Sequence, residues 1–399
     1  MEMRVPSPVV GPTVQPSMWL SRMVLYAGFA GTGAGMALPG SVLPALLSRL
    51  SLADSQAGLL FFLGWIGTSL GALLVRAPLA RSLALGCALV AFGAFGMAWG
   101  ADSIKWSCFA WMAIYGVGLG MAMTATSLLQ AGRNAQRRGA ELNRLNLIWA
   151  IGACVCPSLA EHSLRVANVR AIFSALGLFF ILICLWVLVF ERDPEADRSA
   201  QIFPAAGRRL PVSRFGKLAL WPLPLVLVIF LPTGIESSMG GWIAAYVQRT
   251  QQGIGTTVTA GSCFWIGLML SRTLSSALLL KRLSERFVLV QSLCTVVLGA
   301  LLLIASGASL GILPGVFLVG FGLGPIYPLL LAVALPYSEN TTIFFVAGLG
   351  SAFLPWLTGV ISSSASSLRV GLLVPSTASV LMLILGLRVA ALQRIQEAR

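Results

Sequence analysis

Apolar residues run along this chain in long stretches separated by short polar turns. A helix that crosses the hydrocarbon core of a bilayer needs about 20 such residues in succession. Twelve runs meet that requirement, near 19–48, 56–76, 81–100, 105–130, 139–163, 169–190, 217–248, 256–280, 285–306, 308–334, 339–363 and 369–391. Between the sixth and the seventh, Glu191 to Arg214 is charged and carries Pro194, Pro204 and Pro211. The pattern predicts an all-α membrane protein of twelve transmembrane helices. Its parts are an N-terminal arm (1–18), a six-helix bundle (19–190), a linker (191–216), a second six-helix bundle (217–391) and a tail (392–399).

The two bundles echo each other. Gly116-Val-Gly-Leu-Gly120 in the fourth run reappears as Gly320-Phe-Gly-Leu-Gly324 in the tenth. Gly152 and Pro157 in the fifth return as Gly350 and Pro355 in the eleventh, and the basic pair Arg76 and Arg81 as Lys281 and Arg286. All three matches share an offset of about 200 residues, which argues for parallel duplication of a six-helix unit.

Composition agrees with the spans. The chain is 57% hydrophobic and 10% charged, with a mean hydropathy of +0.88, which excludes a soluble globule. The formal net charge of +14 does not point to nucleic acid, because the basic residues cluster in the turns. Outside turns hold Arg49, Lys105, Arg165, Arg170, Arg249 and Arg369. Every other Lys and Arg except Arg272 falls in the arm, the linker, the tail, an inside turn or the inside end of a run. Positive-inside bias places both termini in the cytoplasm, in what is expected to be a bacterial inner membrane. The first run continues for a full span and so is no cleavable signal. All seven cysteines lie within apolar runs and have no metal-ligand spacing, so neither disulfide, metal nor cofactor is expected.

The candidate chemistry lies in the seventh run, Leu231-Pro-Thr-Gly-Ile-Glu-Ser-Ser-Met-Gly-Gly-Trp-Ile-Ala-Ala-Tyr246. An acid at mid-membrane costs about 2.5–3.5 kcal/mol on insertion scales, so Glu236 is expected to face a polar cavity, pair, or take up a proton. The bland alternative is a structural hydrogen bond from protonated Glu236. Pro232, Gly234, Gly240 and Gly241 are expected to break the helix around it. A polyhydroxylic solute needs aromatic faces for its C–H surfaces and amides or hydroxyls for its oxygens. The chain offers Asn143, Asn146 and Trp149 in the fifth run and Glu236 and Trp242 in the seventh. Trp265 follows in the eighth, Tyr327 in the tenth, Trp356 in the eleventh and Gln130 in the fourth.

Arg272 is the other charge within a run. At 1.5 Å per residue it lies ~12 Å from the inside end of its span, against ~25 Å from Lys217 to Glu236. The two are therefore expected not to touch. Arg272 is instead assigned to an inside gate with Arg76, Arg81, Lys281 and Arg282.

Twelve spans, a duplicated unit and basic turns after the second and eighth spans resemble the major facilitator superfamily. Within it, four stretches resemble the fucose permease-like branch of sugar transporters. These are Gly234-Ile-Glu-Ser-Ser-Met-Gly-Gly-Trp242, Gly324-Pro-Ile-Tyr-Pro328, Gly348-Leu-Gly-Ser-Ala-Phe-Leu-Pro-Trp356, and Leu142-Asn143 with Gly152 and Pro157. The resemblance implies alternating access around a cavity lined chiefly by the first, fourth, seventh and tenth spans. Two departures stand out. Leu73-Leu-Val-Arg-Ala-Pro78 lacks the acid usual in the superfamily's loop motif. Met123 also occupies the place of the branch's protonatable glutamate, with Ser127 where an asparagine is usual. Either Glu236 replaces that proton site or transport is uncoupled.

The expected function is secondary transport of a small neutral polar solute, a sugar or related compound, by a monomer in the lipid bilayer. Glu236 is the candidate site for a coupling proton. An exporter of amphipathic or lipophilic compounds is the alternative, in keeping with Met121 and Met123. A receptor or scaffold without transport is a third reading. An enzyme is not expected, since no nucleophile–base set is visible at membrane depth.

Overall fold

The computed structural model describes residues 18–100, 104, 106–134, 138–191, 223–250, 254–275, 282–305, 309–334 and 340–397. Side chains are described for these except at 18, 138–140, 223–225, 254–258, 309–310, 332–334, 340–344 and 389–397. Among the described residues the regular structure is helical. The first half holds α1 (Met18–Ser41), α2 (Leu43–Leu50), α3 (Asp54–Leu74), α4 (Leu79–Phe95), α5 (Ser107–Arg133), α6 (Arg138–Val166) and α7 (Val169–Phe190). The second holds α8 (Leu223–Arg249), α9 (Ile254–Leu274), α10 (Glu285–Ala305), α11 (Ser309–Ala334), α12 (Asn340–Ser364), α13 (Leu368–Gly371) and α14 (Leu373–Glu397). α1 with α2, and α13 with α14, each make one span, which gives the twelve expected from the hydropathy.

The duplication seen in the sequence is also a duplication of contacts. Gly116 and Gly120 of α5 lie against the α3 backbone at Gly64 and Thr68, and Gly320 and Gly324 of α11 lie against α9 at Phe264 and Ser271. Gly152 of α6 meets Ala30 of α1, and Gly350 of α12 meets Phe230 of α8. In each case a Cβ would collide with the facing helix. Close backbone approach at small residues is how helices associate where lipid is as apolar as the side chains.

The helix break predicted around Glu236 does not occur. α8 runs without interruption from Leu223 to Arg249 with Pro232 inside it. Its glycines serve packing instead: a Cβ on Gly234 would lie 2.8 Å from the Gly350 carbonyl oxygen, and one on Gly241 3.0 Å from the Phe61 ring. At Pro232 the neighbouring Thr233 ties the helix to its surroundings, its hydroxyl donating to the Ala347 carbonyl at 2.8 Å. The bent span is the first, where α1 and α2 meet at 54°. Pro39 lies inside α1, and α2 opens with a proline at its N-terminus. There Arg49 of α2 donates to the carbonyls of Met97, at 3.5 Å, and Ala98, at 2.7 Å. Those carbonyls belong to the π-helical turn Gly96–Gly100 that ends the third span, where wider winding turns carbonyls away from their usual partners.

Candidate functional site

A cavity that opens to solvent lies between the halves. Gly35, Met36, Pro39 and Gly40 of α1 form one wall, and Leu60, Phe61, Gly64, Trp65 and Thr68 of α3 another. Met112, Tyr115, Gly116 and Leu119 of α5, Ser237, Gly240 and Gly241 of α8 and Trp265 of α9 complete it. The hydroxyls on this wall are already partnered. Tyr115 donates to the Gly35 carbonyl at 2.7 Å, Thr68 to Gly64 at 2.9 Å and Ser237 to Thr233 at 2.8 Å. The surface left for a solute is aromatic and thioether in character.

One helical turn from Gly240 and two from Trp265, on the same faces of α8 and α9, sit Glu236 and Arg272. Arg272 Nη2 donates to Glu236 Oε2 at 2.9 Å, and its Nε lies 3.4 Å from the Gly324 carbonyl of α11. The expectation that these two charges stand apart was wrong. It measured depth from Lys217, which lies outside the described residues. Counted from the opposite helix ends, Arg249 and Ile254, Glu236 is ~20 Å deep and Arg272 ~27 Å. The difference is about the reach of one extended arginine side chain. Arg272, in the last turn of α9, therefore pairs with Glu236 and does not stand apart from it. The pair is not sealed, with side-chain exposures of 18% for Glu236 and 30% for Arg272. Tyr327 of α11, half-buried, is within electrostatic reach of both.

The other predicted residues are dispersed. Trp265 lines the cavity and packs edge-on against Trp149 across the halves, with ring centroids 5.8 Å apart. The Trp149 indole N–H is buried and lacks a partner among the described residues. Trp242 is fully buried, donates from Nε1 to the Pro355 carbonyl at 3.0 Å and packs on Phe61. Trp356 packs against Phe62 of the other half, 6.2 Å between centroids. Trp242 and Trp356 thus join the halves beside the cavity and do not line it. Asn143 and Asn146 are exposed on α6, away from the cavity wall. Gln130 is fully buried, and neither atom of its amide has a partner among the described residues.

Among the gate residues, Arg76, Arg81 and Arg282 are exposed, and Lys281 lies outside the described residues. The turn after α3, which lacks the usual acid, is closed by Ser82, whose hydroxyl accepts the Arg76 N–H at 3.0 Å and donates to the Arg76 carbonyl at 2.7 Å.

Sequence reasoning missed most of the cavity wall. Phe61, Trp65 and Thr68 sit at helical spacing along one face of α3, and Tyr115 sits directly before the Gly116–Gly120 motif, so a helix-face reading of those stretches was the available signal. It also missed Asp54, which binds Arg249. These two residues begin the second span and end the seventh, and so lie at the same membrane face.

The family model described as Major Facilitator Superfamily matches residues 25–342. The chain is 23% identical over 351 residues to the glucose/mannose transporter GlcP of Bacillus subtilis (strain 168), covering 84% of this chain and 86% of that protein. Among solved structures, one described as giving structural insights into substrate recognition in proton dependent oligopeptide transporters aligns with a TM-score of 0.71 at 15% identity, over 94% of this chain and 98% of that one. FucP, a superfamily transporter in the outward conformation, aligns at 0.54 and 17% identity, over 91% and 98%. At those identities the solved structures share the fold. The family match and the paired six-helix halves lead to one assignment: this chain is a transporter, not an enzyme, and belongs to the Major Facilitator Superfamily.

Proposed function

We propose that the protein moves a small neutral polar solute, a sugar or close relative, across a bacterial inner membrane by rocking its two halves about the central cavity. Both termini would face the cytoplasm. The observation that carries this reading is the Glu236–Arg272 pair, which lies within the seventh and eighth spans, partly exposed and with Glu236 one turn from the cavity wall. A buried ion pair is costly relative to apolar packing, so a pair retained beside a cavity has work other than stabilising the fold. The likeness to a glucose/mannose transporter over most of the chain supports a sugar.

In this mechanism the solute packs a C–H face on Trp265 and presents hydroxyls to Glu236, Arg272 and Tyr327. A proton on Glu236 removes the countercharge of Arg272 and frees the guanidinium for solute oxygens, which couples proton and solute through one pair. Glu236→Gln is expected to abolish proton-driven accumulation in proteoliposomes while counterflow exchange continues. Equal loss of both would assign Glu236 to binding or folding. Loss of neither would remove it from the mechanism.

A second reading draws on the cavity wall itself, where Met36, Met112, Phe61, Trp65 and Trp265 supply adaptable apolar surface. That lining suits an exporter of amphipathic or lipophilic compounds. Thermal stabilisation of the purified protein by hydrophobic cations, with none by monosaccharides, would select this reading over the first.

A further inference from the structure

The cavity lies to one side of the Glu236–Arg272 pair. On α8 its lining residues Ser237, Gly240 and Gly241 all fall on the Arg249 side of Glu236, and on α9 Trp265 falls on the Ile254 side of Arg272. A molecule reaching from the pair into the cavity therefore meets two unlike environments. At the pair it meets a carboxylate, a guanidinium and, within electrostatic reach of both, the Tyr327 phenol. Beyond Trp265 it meets a chamber walled by Met36 of α1, Leu60 and Phe61 of α3, and Met112 and Leu119 of α5.

The chamber offers little to a sugar. Among the described residues, no carboxylate, amide or cationic side chain lies on its wall. Each wall hydroxyl donates its proton to a backbone carbonyl, and the other side-chain donors there are the indole N–H groups of Trp65 and Trp265. A monosaccharide carries hydroxyls around its whole ring, and each one pressed against thioether or leucine carbon loses its bonds to water without replacement. A free sugar thus suits the pair and not the chamber. Yet the chamber has room. A Cβ on Gly64 would meet Met112 alone, with Cγ at 3.4 Å and Sδ at 3.5 Å, whereas a Cβ on Gly35, Gly40 or Gly116 of the same wall would collide at 2.8, 2.4 or 2.1 Å.

We infer that the solute is a glycoside with an apolar aglycone, its sugar ring packed on Trp265 with hydroxyls at Glu236, Arg272 and Tyr327, and its alkyl or aryl group in the chamber between α1, α3 and α5. The inference rests on the sugar reading proposed above and narrows it. Thioether and aromatic surfaces accommodate apolar groups of different shape. The ring therefore sets specificity at the pair, and the aglycone adds affinity without needing a polar partner.

The test is a titration of the purified full chain, followed by thermal stabilisation, with glucose and its methyl, butyl and hexyl β-glucosides. Burying two further methylene groups is expected to tighten binding about tenfold from butyl to hexyl. Gly64→Val places a side chain in the chamber and is expected to cut that ratio to less than about threefold. A ratio between two ligands on one preparation is unaffected by any loss of folded protein, so the variant remains informative if it folds poorly.

The outcomes separate this inference from the reading beneath it. Glucose binding with an affinity that stays flat from methyl to hexyl overturns the aglycone and leaves the sugar reading standing. A tenfold gain that persists in Gly64→Val also overturns it, since the alkyl group would then lie outside the chamber. Both readings fall if no member of the series stabilises the protein, or if hexanol does so as well as hexyl glucoside.

Discussion

Two ion pairs are anchored on α8, and they differ in what they join. Glu236 pairs with Arg272 on the neighbouring helix of the same half. Thirteen residues further on, Arg249 pairs with Asp54 of the other half. Rigid-body rocking must sever a contact between halves and can leave a contact within a half intact. The Asp54 pair is therefore placed to report and bias the conformation. The Glu236 pair can persist through the cycle until a solute or a proton competes for it. The same carboxylate–guanidinium chemistry joins the two halves in one place and stays within one half in the other, and the difference is set by which helices carry the partners.

Removing one partner from the within-half pair should sharpen that contrast most. Arg272→Ala leaves Glu236 partly enclosed and without its partner, and loss of one partner of an enclosed pair costs several kcal/mol when burial is complete. With the exposure seen here a smaller loss is expected, and solute flux should fall roughly 100-fold, a cost of about 2.7 kcal/mol. The double variant Arg272→Gln with Glu236→Gln should regain thermal stability without regaining proton-driven uptake. Recovery of both would make the pair a structural element only.

A smaller effect is expected where the halves meet through Trp242. Its Nε1 bond to the Pro355 carbonyl links helices within one half, whereas its ring meets Phe61 of the other. Trp242→Phe keeps an aromatic surface and removes the donor, leaving a buried carbonyl short of a partner at a cost of about 1–2 kcal/mol. The melting temperature should drop by a few degrees, about 2–4 °C. An unchanged melting temperature would show that the bond to the Pro355 carbonyl contributes nothing to stability.

Much of the architecture was legible because the bilayer imposes a length on every apolar run, and the duplicated Gly-Val-Gly-Leu-Gly stretch marked where helices approach most closely. The site was less legible. Distance along one helix gives depth only when both ends are known, so counting from Lys217 separated Glu236 from Arg272, which in fact touch. Residue type alone also misplaced Asn143 and Asn146, which are exposed on α6, and Trp242, which is buried at the seam. The bend at α2 was signalled by Pro39 and Pro44 but lay inside a run that hydropathy reads as continuous.

The smallest expected effect is at Ser237, the hydroxyl nearest Glu236 on the cavity wall. By residue type it looks like a solute ligand, yet its Oγ donates to the Thr233 carbonyl one turn back, the usual resting place of a serine within a membrane helix. Ser237→Ala should change the KM for the transported solute by less than about twofold, because a hydroxyl committed to its own backbone contributes little to a bound molecule. Trp265→Ala removes a ring that forms the wall itself and should raise KM by roughly tenfold or more at unchanged protein abundance. A large KM change at Ser237 would mean that its hydroxyl turns from the backbone toward the solute on binding. The polar side of the site would then extend from the ion pair up into the cavity.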